Sequence, residues 1–232
     1  MEAMKGRAGG PAAADALIVG AAGSGKSAYA EGLCVSTAAA RSARLLYLAT
    51  MPGEGEDARK RIERHRRLRA GKGFDTVEAL HLLAAASPRL LDGARGAVAL
   101  VECLGTLAAN ELFSKEGENA GAEPAPVMDE GRLRAVLGEA AWVELDRSRV
   151  ALDPASAAAL DCVVRGTALW LDAAEATVIV SNDVFADGVA YDGPTRIYQA
   201  VLGAANRVFA LHCARVVEVV CGIPVPLKGG LA

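Results

Sequence analysis

At 232 residues the chain is long enough to bury one sizeable α/β core, and its net charge of −3 argues against a nucleic-acid binder. Hydrophobic residues reach 52%, much of it alanine, while aromatic residues are only 4%, which implies close helix–sheet packing around small side chains. No apolar run approaches the ~20 residues a membrane helix needs. The five cysteines (34, 103, 162, 213 and 221) form no C-x-x-C pair, so they read as reduced thiols acting as small hydrophobes in a cytoplasmic protein. Three unclustered histidines argue against a zinc site.

In chain order, residues 1–14 carry Lys5 and Arg7 but no hydrophobic block, and read as a disordered arm rather than a signal peptide. Residues 15–232 then read as a single α/β domain. Ala16 to Val19 is a buried-strand run, and Gly20-Ala21-Ala22-Gly23-Ser24-Gly25-Lys26-Ser27 follows it. These eight residues fit G-x-x-x-x-G-K-[ST], and a helix-compatible stretch from Ser27 through Leu33 comes next. Strand, glycine loop and helix are what the chemistry requires. Glycines let backbone N–H groups ring a phosphate, and the helix N-terminus adds a positive dipole end. Lys26 supplies a cation for the β- and γ-phosphates, and the Ser27 hydroxyl is a Mg²⁺ ligand.

Further strand-like runs are Arg44 to Ala49, Gly96 to Glu102 and Ala176 to Ser181, with Val216 to Val220 and Ile223 to Leu227 as a closing pair. Pro224 and Pro226 push that last strand to a sheet edge. Apolar strands alternating with helices predict a mostly parallel sheet covered on both faces, with ligands at the carboxyl ends of the strands. Residues 114–155 read as an excursion: a Gly-, Pro- and Glu-rich loop over 114–128, then helical stretches around 129–145 and 155–174.

A P-loop enzyme needs a metal-side carboxylate at the end of a neighbouring strand. Glu102 fits that role after Val98 to Val101, and Asp183, after Val178 to Val180, competes with it. The run Lys60 to Arg69 (KRIERHRRLR) puts positions 58, 62, 65 and 69 on one helical face, with Ala58 and Ile62 inward and His65 and Arg69 at the rim. It reads in three ways. It is a solvated basic helix with an incidental histidine. It is a nucleophilic His65 kept neutral by surrounding positive charge, with arginines that stabilise a leaving pyrophosphate. Or it is a nucleic-acid patch, which the lack of interleaved aromatics disfavours. His81 reads as a helix-surface or core residue, and His212 as a residue near a helix end.

The ordered set of GAAGSGKS (20–27), LLYLAT (45–50), RIERH (61–65), TVE (76–78), VECLGTLAANELF (101–113), SND (181–183), GAAN (203–206) and GIPVPLK (222–228) resembles the bifunctional adenosylcobinamide kinase / adenosylcobinamide-phosphate guanylyltransferase family of cobalamin biosynthesis. The resemblance runs from Leu17 to Lys228. It implies a RecA-like P-loop NTPase fold and a homotrimer whose neighbouring subunit helps to shape the site. It implies that Gly20 to Ser27 hold the triphosphate and that Ala49-Thr50-Met51 lie near the nucleotide. It implies that Arg66, Arg67, Leu68, Arg69 and Glu78 contact the guanine nucleotide. His65, Lys26 and Glu102 are the implied catalytic residues, Ser27 and Glu102 the Mg²⁺ side. GTP and ATP are the implied nucleotide substrates and adenosylcobinamide the corrinoid one. Three positions depart from the family's pattern. Gly23 stands where Arg is usual, Asn182-Asp183-Val184-Phe185 stands where N-E-V-G is usual, and Phe74 is the nearest aromatic where Trp usually precedes TVE. A different P-loop small-molecule kinase with a structural His65, or a family member without turnover, are the competing readings. A GTPase switch is disfavoured by the absence of N-K-x-D.

Overall fold

Seven strands form one sheet in the order β3-β2-β4-β5-β1-β6-β7 in the computed structural model, which describes residues 15–51, 55–81, 86–113 and 128–231. The side chains of Asp57, Ala58, Arg61 and Leu68 lie outside the described ones, as do the expected arm over 1–14 and the loop over 114–127. β1 (Ala16–Gly20) sits inside the sheet between β5 (Ala176–Asn182) and β6 (Arg215–Val220). β4 (Ala97–Glu102) separates β5 from β2 (Arg44–Ala49). All of these pairings are parallel. β7 (Ile223–Lys228) runs antiparallel at one edge, as its two prolines require.

The inner strands are buried on both faces, which is why they read as continuous apolar runs instead of alternating ones. On one face α1 (Lys26–Arg41) covers Ile18, Leu100, Val178 and Val217, which share a core with Tyr47. The other face carries the larger core. There α3 (Pro88–Ala94), α4 (Leu104–Phe113), α5 (Glu130–Leu137), α6 (Glu139–Ala151), α7 (Pro154–Ala173) and α8 (Gly193–His212) bury Leu104, Leu133, Leu145, Trp170 and Phe209. Local chemistry fixes several of their starts. Asp153 accepts from the N–H groups of Ala155 and Ser156 ahead of Pro154, and Asp129 accepts from Arg132 N. Each such cap contributes about 1 kcal/mol.

Two elements differ from the sequence reading. Phe74–Glu78 forms a further strand, β3, pairing parallel with β2 at the other sheet edge. Its residues are half-exposed or exposed, so it lacks the continuous apolar run that marks an inner strand. The helical stretch expected over 129–145 breaks at Gly138, whose φ of 79° ends α5 and starts α6. Both helices pack in the same core as α7 and α8.

Parallel strands deliver their carboxyl ends to one edge of the sheet. Gly20, Ala49, Glu78, Glu102 and Asn182 therefore end on the same side, although up to 162 residues separate them.

Candidate functional site

The loop after β1 is built by close approach. A Cβ on Gly20 would sit 2.5 Å from Ser24 Oγ and 2.7 Å from the Val219 carbonyl. Only glycine fits there. Gly25 precedes α1 at φ 93°, and Ser24 N donates to Ala21 O at 3.1 Å to close the turn. The tip of the β6–β7 hairpin supports the loop from outside. Cys221 and Gly222 both have positive φ, the type I′ pattern that suits hairpin twist, and Gly222 N donates to Ser24 O at 2.8 Å. Lys26 is buried and donates to Ala21 O, while Ala21, Ala22 and Gly23 are exposed at the surface of the loop.

Ser27 links this loop to the next strand end. Its hydroxyl donates to Glu102 Oε1 at 2.6 Å, and Glu102 Oε2 is enclosed without a partner among the described residues. Burial pushes the Glu102 carboxyl up to about 7, against the opposing pull of Ser27 and the Lys26 charge. A hydroxyl and a carboxylate side by side are the hard oxygen donors that suit Mg²⁺, and the unpartnered oxygen fits such an ion. Among the described residues no cluster of three or more His, Cys, Asp or Glu offers a protein-only metal cage. Asp183 lies elsewhere. Its Oδ1 accepts from Phe185 N in a local turn, so it is not the carboxylate on Ser27.

The β2 end is fastened to β4. Thr50 Oγ1 donates to Glu102 O and accepts from Cys103 N, both at 2.8 Å, and Asn110 Nδ2 bridges Thr50 O and Leu80 O. α2 (Glu56–Arg69) then lies across the ends of β2, β3 and β4. A cavity of ≈ 530 Å³ opens beneath it. Ile62, His65 and Arg69 line this cavity from one face of α2, with Arg66 beside them. Ala49, Met51, Glu78 and Glu102 line it from the sheet. Arg67 is exposed and does not line it.

Arg69 is deeper than the rim position expected for it. It is 8% exposed, and its guanidinium stacks over the Tyr47 ring at 3.4 Å from the centroid. Its Nη1 is enclosed without a hydrogen-bond partner among the described residues, as is His65 Nδ1. The His65 pKa is lowered, first by burial and then by the Arg69 charge. Sequence reasoning named only the charge. Arg66 reaches Glu78 at 3.5 Å, an exposed pair that contributes little.

Three contributors were not picked out from sequence. Tyr47 is the platform for Arg69. Glu31, buried on α1, pairs with Lys72 just beyond α2 and so ties the end of the His65 helix to the P-loop helix. The signal available was Glu31 itself, a charged residue one turn beyond Ser27 on the sheet-facing side of α1. His81 and His212 lie outside the cavity. His81 is buried against Glu111, and His212 closes α8 with Nδ1 3.1 Å from Leu137 O.

A family model described as cobinamide kinase / cobinamide phosphate guanyltransferase matches residues 16–227. Among solved structures, the crystal structure of flagellar accessory protein FlaH from Methanocaldococcus jannaschii aligns at 13% identity, with a TM-score of 0.42, over 94% of this chain and 79% of that one. No curated protein matches the chain. Among the described residues no helix is long and apolar enough to cross a membrane.

Proposed function

Because the chain belongs to the cobinamide kinase / cobinamide phosphate guanyltransferase family, we propose that it performs both reactions at this strand-end site, the second through a guanylyl-His65 intermediate. In the kinase step the hydroxyl of adenosylcobinamide attacks the γ-phosphorus of ATP or GTP. The new O–P bond replaces the bond to the β-phosphate oxygen, which leaves with the electron pair, and the hydroxyl proton is lost to solvent. Gly20 to Ser27 hold the triphosphate, Lys26 balances its charge, and Ser27 with Glu102 would hold Mg²⁺. That ion, when bound, supplies charge neutralisation on the phosphates.

In the guanylyl step a neutral ring nitrogen of His65 attacks the α-phosphorus of GTP. The N–P bond forms as the bond to pyrophosphate breaks. Arg66 and Arg69 stabilise the charge on the departing group. A phosphate oxygen of adenosylcobinamide phosphate then attacks the same phosphorus. The N–P bond breaks, its pair returns to His65, and adenosylcobinamide-GDP is released. Two in-line displacements replace one difficult one.

The observation that carries this reading is the state of His65: its pKa is lowered, and Nδ1 is enclosed without a partner in a cavity shared with Arg69 and Glu102. His81 and His212 also enclose an Nε2 without a hydrogen-bond partner among the described residues, but neither lines this cavity, whereas His65 does so beside Arg69 and Glu102. The test is incubation with α-labelled GTP and Mg²⁺ followed by denaturation. Acid-labile, alkali-stable label is expected, absent in His65→Ala. Label retained by folded His65→Ala, or no label on the wild type, would overturn the histidine mechanism.

A further inference from the structure

A second cavity of ≈ 520 Å³ lies on the β5 side of the P-loop, away from α2. Its floor is shared with the phosphate loop: Ala21 lines it, and Asp183 N donates to Gly20 O at 3.0 Å. Its far wall is the first turns of α8, with Thr195, Tyr198 and Gln199. We propose that this groove binds the alcohol-bearing amide arm of the corrinoid acceptor, with the macrocycle resting on the apolar rim outside it; this deepens the function proposed above and rests on it.

Three observations carry the assignment. The first is position. The His65 cavity occupies the ends of β3, β2 and β4, and the second groove occupies the ends of β5 and β1, so the P-loop has a cavity on each side. Only a thin wall separates them. Cys103 lines the His65 cavity and takes a contact from Asn182 Nδ2, while Tyr198 OH and Asn182 close on Gly105, where a Cβ would meet them at 2.9 and 3.0 Å. An acceptor arm in the groove therefore brings its hydroxyl beside the phosphate loop, where the kinase step proposed above uses it.

The second is chemistry. Two carboxylates, a hydroxyl, two phenols and an amide line the groove at Asp183, Asp187, Thr195, Tyr191, Tyr198 and Gln199. These groups donate to and accept from amides and alcohols, which suits a neutral hydrogen-bonding arm better than a nucleotide's phosphates. No Lys or Arg lines it.

The third is the rim. Tyr191 lines the groove, and Phe185 and Val189 on the same loop and Ile197 on α8 are, like it, each more than a third exposed. The loop that carries Phe185, Val189 and Tyr191 is fixed, not loose. Asp187 takes Val189 N and Tyr191 OH, Gln199 Nε2 donates to Val184 O, and the Phe185 ring leans on Gly203 of α8. A corrin is far larger than the groove, so a braced apolar rim is what its flat face would need.

The test uses Thr195→Trp and Ala186→Trp, both exposed positions on the groove where the indole fills space without entering the core. Equilibrium dialysis with adenosylcobinamide, followed by its visible absorbance, reads corrinoid affinity. His65 labelling from GTP, which needs no corrinoid, reads the nucleotide side. The expected result is a Kd for adenosylcobinamide at least ~10-fold weaker in both variants with labelling unchanged. Wild-type binding that persists undiminished in both variants would overturn the groove assignment and leave the function intact. A wild type that binds no adenosylcobinamide would overturn both. Labelling lost along with corrinoid binding would place the groove in the nucleotide site and overturn the assignment as well.

Discussion

Replacing Glu102 with glutamine should make the protein more stable at alkaline pH while removing most of its activity. Burial raises this carboxyl from 4.5 to about 7. Between those values the unfolded chain releases the proton and the folded chain keeps it. Folding stability from this group is therefore fullest below about pH 4.5, falls as pH rises toward 7, and is level above. At ~1.4 kcal/mol per unit the full effect is about 3 kcal/mol, and the part of Glu102 open to the cavity trims this to about 1–3 kcal/mol. Glutamine carries no such dependence and still accepts from Ser27. Its buried amide adds a cost, but one that does not vary with pH. The measurement is urea denaturation of both proteins at pH 5 and pH 8, where the variant should gain on the wild type by about 1–3 kcal/mol between the two. For a chain of this size that is roughly 2–12 °C in Tm. The kinase rate should fall on the order of 100-fold, since the charged oxygen donor that would hold Mg²⁺ with Ser27 is lost. A stability difference that is the same at both pH values would refute the reasoning.

Other outcomes follow from the same geometry. The rate of His65 labelling should stay level as pH falls through the ordinary histidine value of 6.5 and drop only below it, because the folded pKa is lowered; a midpoint at or above 6.5 would contradict the burial argument. Gly20→Ala should lose triphosphate affinity by calorimetry and destabilise the fold by about 1–3 kcal/mol, because the backbone carbonyl of Val219 cannot yield. The Glu31–Lys72 pair should be asymmetric. Lys72→Met strands a buried carboxylate and should cost about 3 kcal/mol, whereas Glu31→Gln leaves a lysine that is 34% exposed and can hydrate; equal costs in denaturation would argue against the pairing. Arg69→Lys should weaken the hold on Tyr47 and reduce guanylyl transfer more than phosphoryl transfer, read by comparing the two rates.

The fold was legible where strands are buried on both faces, because there the apolar run is itself the signal. The sequence reading found β1, β2, β4 and β5 to within a residue at each end for that reason. It missed β3, an edge strand with no such run, although TVE had been noticed as a motif. The P-loop was legible because its chemistry is local: eight consecutive residues carry it. The surroundings of His65 were not, because they come from α1, β2 and α2 at once. Spacing along α2 placed Ile62, His65 and Arg69 on one face, but nothing in the helix states that Tyr47 waits beneath Arg69 or that Glu31 holds the turn beyond it. Both acids stand at strand ends in the sequence, and only the fold separates them: Glu102 accepts from the Ser27 hydroxyl, while Asp183 accepts from Phe185 N in its own turn.

The central place of β1 also sets the order in which the molecule can come into being. Its neighbours are β5 and β6, so Ala16 must wait for Val178 and Arg215 before either flank is paired. During synthesis the phosphate-binding motif emerges long before β5 and β6, so the strand that carries it stays unpaired on both sides until they follow. Contacts this distant make closure slow, and until it happens the first strand is an unprotected apolar segment. The hairpin tip that braces Ser24 arrives later still, about 200 residues after the loop it supports, so the phosphate loop takes its final shape from chain far downstream of it.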